Sequence, residues 1–120
     1  MKNESKHIAE WTFISKGNIP EDLPAKLTPG EEAICAYKTV KDVAVFTNKR
    51  LLVKDAEGLT GKKKYSLPYS SILMFYTENG GVMDIESDIE MWTSAGSVKI
   101  NLSRSIDVRE IDRLLAAHIL

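Results

Sequence analysis

Between Glu31 and Leu102 the hydrophobic period is close to two, and after Leu102 it becomes helical. That single change of period restricts the chain to a curved β-sheet closed by one terminal helix. Glu31 to Thr39 sets Ala33, Cys35 and Tyr37 on one face of a first strand. Val43 to Thr47 and Leu51 to Lys54 are rich in β-formers and flank Asn48-Lys49, which reads as a tight hairpin turn. Lys62 to Leu67 forms a fourth strand and stops at Pro68, which cannot donate to a ladder. Ile72 to Glu78 is a fifth, ended by Asn79-Gly80-Gly81. In the sixth, Met83, Ile85, Ile89 and Met91 alternate with Asp84, Glu86, Asp88 and Glu90. Val98, Ile100 and Leu102 mark the seventh.

The helical stretch is equally well delimited. Val108, Ile111, Leu115, His118 and Ile119 fall on one stripe. Asp107 is a suitable N-cap with Glu110 three residues on, and Ile106 and Ile111 occupy the positions of a hydrophobic staple. So short a helix is marginal alone and must pack on the sheet.

The first thirty residues have a different texture. Ile8, Trp11 and Ile14 recur at helical spacing, which predicts a short amphipathic helix over 6–15. Gly17, Pro20, Pro24 and Pro29-Gly30 then interrupt any regular element. The chain accordingly divides into an N-terminal extension, 1–28, and one domain, 29–120, which suits a length of 120 residues.

Composition excludes several functions. Sixteen Lys plus Arg against seventeen Asp plus Glu leave a net charge of −1, without the basic excess that nucleic-acid binding requires. Cys35 is the single cysteine, so neither an intrachain disulfide nor a multi-cysteine metal site can form. The start is charged, and Glu10 and Lys16 interrupt the apolar stretch after it; no signal-peptide core or membrane span is evident. A cytoplasmic location is the expectation.

Three segments carry a more specific message. Phe46-Thr47-Asn48-Lys49-Arg50-Leu51-Leu52, then Gly58-Leu59-Thr60-Gly61-Lys62-Lys63, then Pro68-Tyr69-Ser70-Ser71-Ile72, resemble the bacterial pleckstrin-homology (PH) domain family. The Pro29-Gly30-Glu31 entry, Trp92 and the closing Ile106-Asp107-Val108 fit the same pattern. The resemblance runs from about Pro29 to Leu120. It implies a PH-like barrel or sandwich: seven antiparallel strands in two nearly orthogonal sheets, capped by the C-terminal helix. It also implies ring-like homo-oligomers, as similar domains form.

The candidate interaction residues follow from charge and aromatic placement. Eukaryotic lipid-binding PH domains gather Lys and Arg in the loop between their first two strands. The equivalent Lys38-Thr39-Val40-Lys41-Asp42 offers two lysines and no arginine, a sparse anion site. Lys62 and Lys64 share a strand face, with Lys63 pointing away. Charge guarding an edge strand explains this cluster more simply than a partner does. Lys38, Lys41, Lys62 and Lys64 are nevertheless the anion or partner candidates. Asp84, Glu86, Asp88 and Glu90 lie about 7 Å apart at alternate positions, too wide for more than two to share one cation. They serve better as a solvated face or an oligomer contact; Trp11 is equally suited to an oligomer contact and to docking on its own domain. Trp92 is expected to dock on the domain itself.

No nucleophile, base and orienting group stand together, so neither an active site nor a cofactor is expected. The expected function is a non-enzymatic interaction module that assembles with itself into a cyclic homo-oligomer. The alternative is a peripheral module for anionic lipid or another ligand.

Overall fold

The computed structural model describes residues 7–57, 61–78 and 87–120, and the side chains of all these except 55–57, 61 and 62. The strands are β1 (Ala9–Gly17), β2 (Ala33–Thr39), β3 (Val43–Thr47), β4 (Arg50–Glu57), β5 (Gly61–Pro68), β6 (Met74–Glu78), β7 (Ser87–Thr93) and β8 (Gly96–Leu102). One helix, α1 (Val108–Ile119), follows. Hydrogen bonding is continuous through the order β5-β4-β3-β2-β1-β8-β7-β6. Gly58-Leu59-Thr60, Asn79-Gly80-Gly81 and the first half of the expected sixth strand, 83–86, lie outside the described residues.

Among the described residues there are eight strands rather than seven, because 9–17 is a strand and not the expected helix. The three-residue spacing of Ile8, Trp11 and Ile14 misleads: Ile8 and Ile14 are exposed. The alternation that matters is Trp11 and Phe13, both buried, in a run of aromatic and β-branched residues suited to a pleated surface. This strand pairs antiparallel with β2 and parallel with β8. It thereby joins the two expected sheets into one ladder and makes the supposed extension part of the domain.

The inner face of the sheet carries the main core. Phe13 stacks on Tyr37 at 5.4 Å, and both meet Phe46 edge-on. Val108, Ile111 and Leu115 of α1 are buried against the same core. Asp107 caps the helix by accepting the Arg109 N–H at 3.0 Å, and Ile106 and Ile111 are both buried, as the staple requires. Glu110 does not reach back to complete a capping box; its carboxylate meets Lys16 of β1 at 3.4 Å. His118 is exposed at the rim, its ring 5.4 Å from that of Tyr69.

A second, smaller core sits on the outer face. Leu23, beside the 3₁₀ turn Pro24–Lys26, packs with Ala36, Val45 and Leu52. The Pro-rich segment before β2 is thus a strap across β2, β3 and β4.

A buried ion pair fastens that strap to the β3–β4 hairpin. The Glu31 side chain is 1% exposed and accepts from Arg50 Nε at 2.8 Å and Arg50 Nη2 at 3.1 Å. It also accepts from the Thr28 amide, the Thr28 hydroxyl and the Thr47 hydroxyl, the last at 2.7 Å. Thr47 in turn accepts the Lys49 and Arg50 amides across the turn. Its carbonyl takes the Tyr69 hydroxyl at 2.6 Å, and Arg50 Nη1 reaches Ser66 of β5. Asn48 exchanges bonds with Glu32 and Gly30. The turn is therefore held by side-chain bonds to the incoming strap, on both sides of its two central residues.

Two outcomes follow. The Arg50 guanidinium holds the Glu31 carboxyl at about 2, well below its usual 4.5, despite the opposing effect of burial. Its contribution is complete above pH 4.5 and is lost as pH falls toward 2, roughly 3 kcal/mol by linkage. Glu31→Gln should therefore lower urea-unfolding stability at pH 7, and its deficit against the native chain should shrink as the pH is taken toward 2. Second, Gly96 has φ +141°, and a Cβ there would stand 2.6 Å from Ile8 Cγ2. Gly96→Ala should cost about 1–3 kcal/mol in thermal or urea unfolding, and adding Ile8→Ala should recover only part, because the backbone strain remains.

Candidate interaction surfaces

The sheet register gathers lysines that sequence spacing separates. Lys38, Val43, Lys54 and Lys64 are successive Cα partners across β2, β3, β4 and β5, so they form one transverse row. Lys54 stands two residues from Leu52, whose side chain packs in the outer core, and alternate strand residues share a face. The row therefore lies on the outer face. Lys38 leans over β1, where a Cβ on Gly17 would come within 3.3 Å of its Cγ. Lys54 and Lys64 instead face a cleft of about 240 Å³ that Lys26 and Lys63 also line.

Lys63 stands at the alternate position of β5 next to Lys64 and also borders this cleft. As β5 ends the strand order, a long side chain there can curl round the sheet edge. Lys26 has no counterpart among the sequence candidates. It arrives on the strap, and only the packing of Leu23 brings it beside the sheet. Lys41 is exposed in the β2–β3 turn and lines a different cavity, with Thr39 and Val40. Lys62 lies within β5, opposite Ala56, and its side chain is outside the described residues.

The acidic strand is occupied from within the chain. Asp88 pairs with Lys99 of β8 at 3.7 Å. Glu90 meets His7 Nδ1 at 3.3 Å and accepts the Tyr76 hydroxyl at 3.2 Å. Both carboxylates are mostly covered, with side-chain exposures of 24% and 15%, which leaves little of either for a neighbouring subunit. Asp84 and Glu86 lie outside the described residues. Trp11, open on sequence between docking on the domain and assembly, takes the first place. It is buried in the chain's own core, edge-on to Tyr65 at 5.3 Å. Trp92 docks on the domain, 5.6 Å from Tyr76.

The surface that sequence reading passed over is β6. Among the described residues it pairs only with β7 and ends the strand order opposite β5. Leu73, Met74 and Tyr76 are 73%, 57% and 41% exposed along it. The signal in the sequence was the consecutive run Ile72-Leu73-Met74-Phe75-Tyr76, too apolar for a strand with one solvated face. Among the described residues no helix is long and apolar enough to cross a membrane.

Comparison with known proteins matches this architecture. The family model described as "Bacterial PH domain" matches residues 3–119, which includes β1. The uncharacterized protein YjqA of Bacillus subtilis (strain 168) is 36% identical over 115 residues, covering 92% of each chain. A protein with a pleckstrin-homology domain from Shewanella loihica superposes with a TM-score of 0.79 at 30% identity, covering 88% of this chain and 97% of that one. A pleckstrin homology domain from Shewanella amazonensis gives 0.68 at 32% identity, covering 87% and 94%. The fold is PH-like, and the residues that resembled the family at Glu31, Thr47, Arg50 and Tyr69 are those of the buried polar cluster. The chain belongs to the bacterial PH domain family.

Proposed function

We propose that this protein is a non-enzymatic assembly module that associates with copies of itself through the open edge of β6. The observation that carries the reading is the contrast between the two ends of the strand order. The β5 end carries Lys63 and Lys64, charges of the kind that discourage edge-to-edge pairing. The β6 end carries Leu73, Met74 and Tyr76, exposed, beside backbone groups that face no described strand. A largely apolar edge, with its charge confined to Glu78 at one end, is a template for another strand.

Addition of β6 to its counterpart in a second copy is self-complementary and closes with two-fold symmetry. The new contact hydrogen-bonds the free backbone and covers the apolar side chains together. The acidic residues that sequence reading assigned to the contact contribute less in this account, since Asp88 and Glu90 already have partners.

Light scattering should give one discrete mass above that of the single chain, steady over a wide concentration range. Leu73→Glu with Met74→Glu should yield the single-chain mass while shifting unfolding stability by no more than about 0.5 kcal/mol, because both side chains are exposed. A native chain that stays monomeric throughout that range contradicts the reading.

A further inference from the structure

We infer, resting on assembly through β6, that the two copies meet in one register, with Tyr76 on the two-fold axis. The direction of the backbone groups along β6 decides it. The Leu73 N–H donates to the Trp92 carbonyl at 2.8 Å, so that carbonyl faces β6. Backbone groups of alternate strand residues point the same way, and Glu90 and Asp88 therefore turn theirs toward β6 as well. The Cα partners of Trp92, Glu90 and Asp88 are Met74, Tyr76 and Glu78, which bond inward to β7. Phe75 and Thr77 thus carry the N–H and C=O groups of the open edge. Leu73 is 73% exposed, but its N–H is occupied and adds no donor there.

Antiparallel strands exchange both bonds only between directly opposed residues of a hydrogen-bonded pair. Phe75 opposite Thr77 of the second copy, and Thr77 opposite its Phe75, engages all these groups on both edges in about four hydrogen bonds. Tyr76 then opposes itself in a non-hydrogen-bonded pair, the Cα atoms about 4.5 Å apart. Opposing Phe75 or Thr77 to itself satisfies only one residue of the two, and a slip by one residue sets free groups against bonded ones. Side-chain placement agrees. Phe75 packs on the main core, which puts Met74, Tyr76 and Glu78 together on the outer face. The Tyr76 ring already leans onto β7, 5.6 Å from Trp92 with its hydroxyl on Glu90, so it leaves the axis open and costs little to order on association. Each Glu78 falls beside Met74 of the other copy. The two Glu78 residues then stand about 14 Å apart along the strands, beyond a Debye length of about 8 Å.

In a Cys35→Ser background, Tyr76→Cys should form a disulfide with its own copy under mild oxidation, because the Cα spacing suits one. Met74→Cys and Glu78→Cys should each stay reduced alone and cross-link when mixed. Charge probes the same axis without a new bond. Tyr76→Lys and Tyr76→Glu should each weaken self-association about tenfold or more, since like charges then stand directly opposed. Mixed in equal amounts, they should regain it as a heterodimer. Self-cross-linking of Tyr76→Cys, or recovery in the mixture of charge variants, upholds the register. A native chain of oligomeric mass with neither result in folded variants overturns the register and leaves assembly standing. A monomeric native chain overturns both.

Discussion

The contact between Glu31 and Arg50 organises this molecule. It closes the β3–β4 turn, anchors the strap that precedes β2, and through Arg50 and Thr47 reaches β5 and the Tyr69 turn that leads to β6. A carboxylate at 1% exposure is tolerable only with all its lone pairs engaged, and Glu31 engages Arg50, Thr28 and Thr47. The family pattern around Thr47, Arg50 and Tyr69 thus has a structural explanation. These residues hold the fold together.

From that anchor the sheet acquires two working faces. The inner face holds the aromatic core and α1. The outer face would be an ordinary solvated surface, but the strap covers part of it with Leu23 and delivers Lys26 to Lys54 and Lys64. The lysine cleft consequently depends on the ion pair, since that is what ties the strap down near β2. The two ends of the strand order differ just as clearly. One carries Lys63 and Lys64 and the other exposes Leu73, Met74 and Tyr76, and the proposed self-association rests on that contrast.

Periodicity made most of this fold legible. The runs at Val43–Thr47 and at Val98, Ile100 and Leu102, and the staple at Ile106 and Ile111, appear where alternation and capping placed them. β1 was misread because Ile8, Trp11 and Ile14 satisfy a helical spacing by coincidence. Its strand character depends on partners in β2 and β8, the latter nearly ninety residues away. The Glu31–Arg50 contact spans 19 residues and could not be read from either segment alone. The interaction surfaces were the least legible part. Trp11 was buried by its own domain, Glu90 was taken by His7 and Tyr76, and the lysine cleft needed cross-strand register and a strap that carried no recognisable motif.

A double-mutant cycle between Glu31 and Arg50, with Glu31→Gln and Arg50→Met, measured by urea unfolding at neutral pH, tests the central claim most directly. A buried pair that organises the fold predicts a coupling energy of about 2–3 kcal/mol, with the double variant recovering much of what either single change loses. A coupling below about 0.5 kcal/mol, the range of exposed surface pairs, would contradict the account.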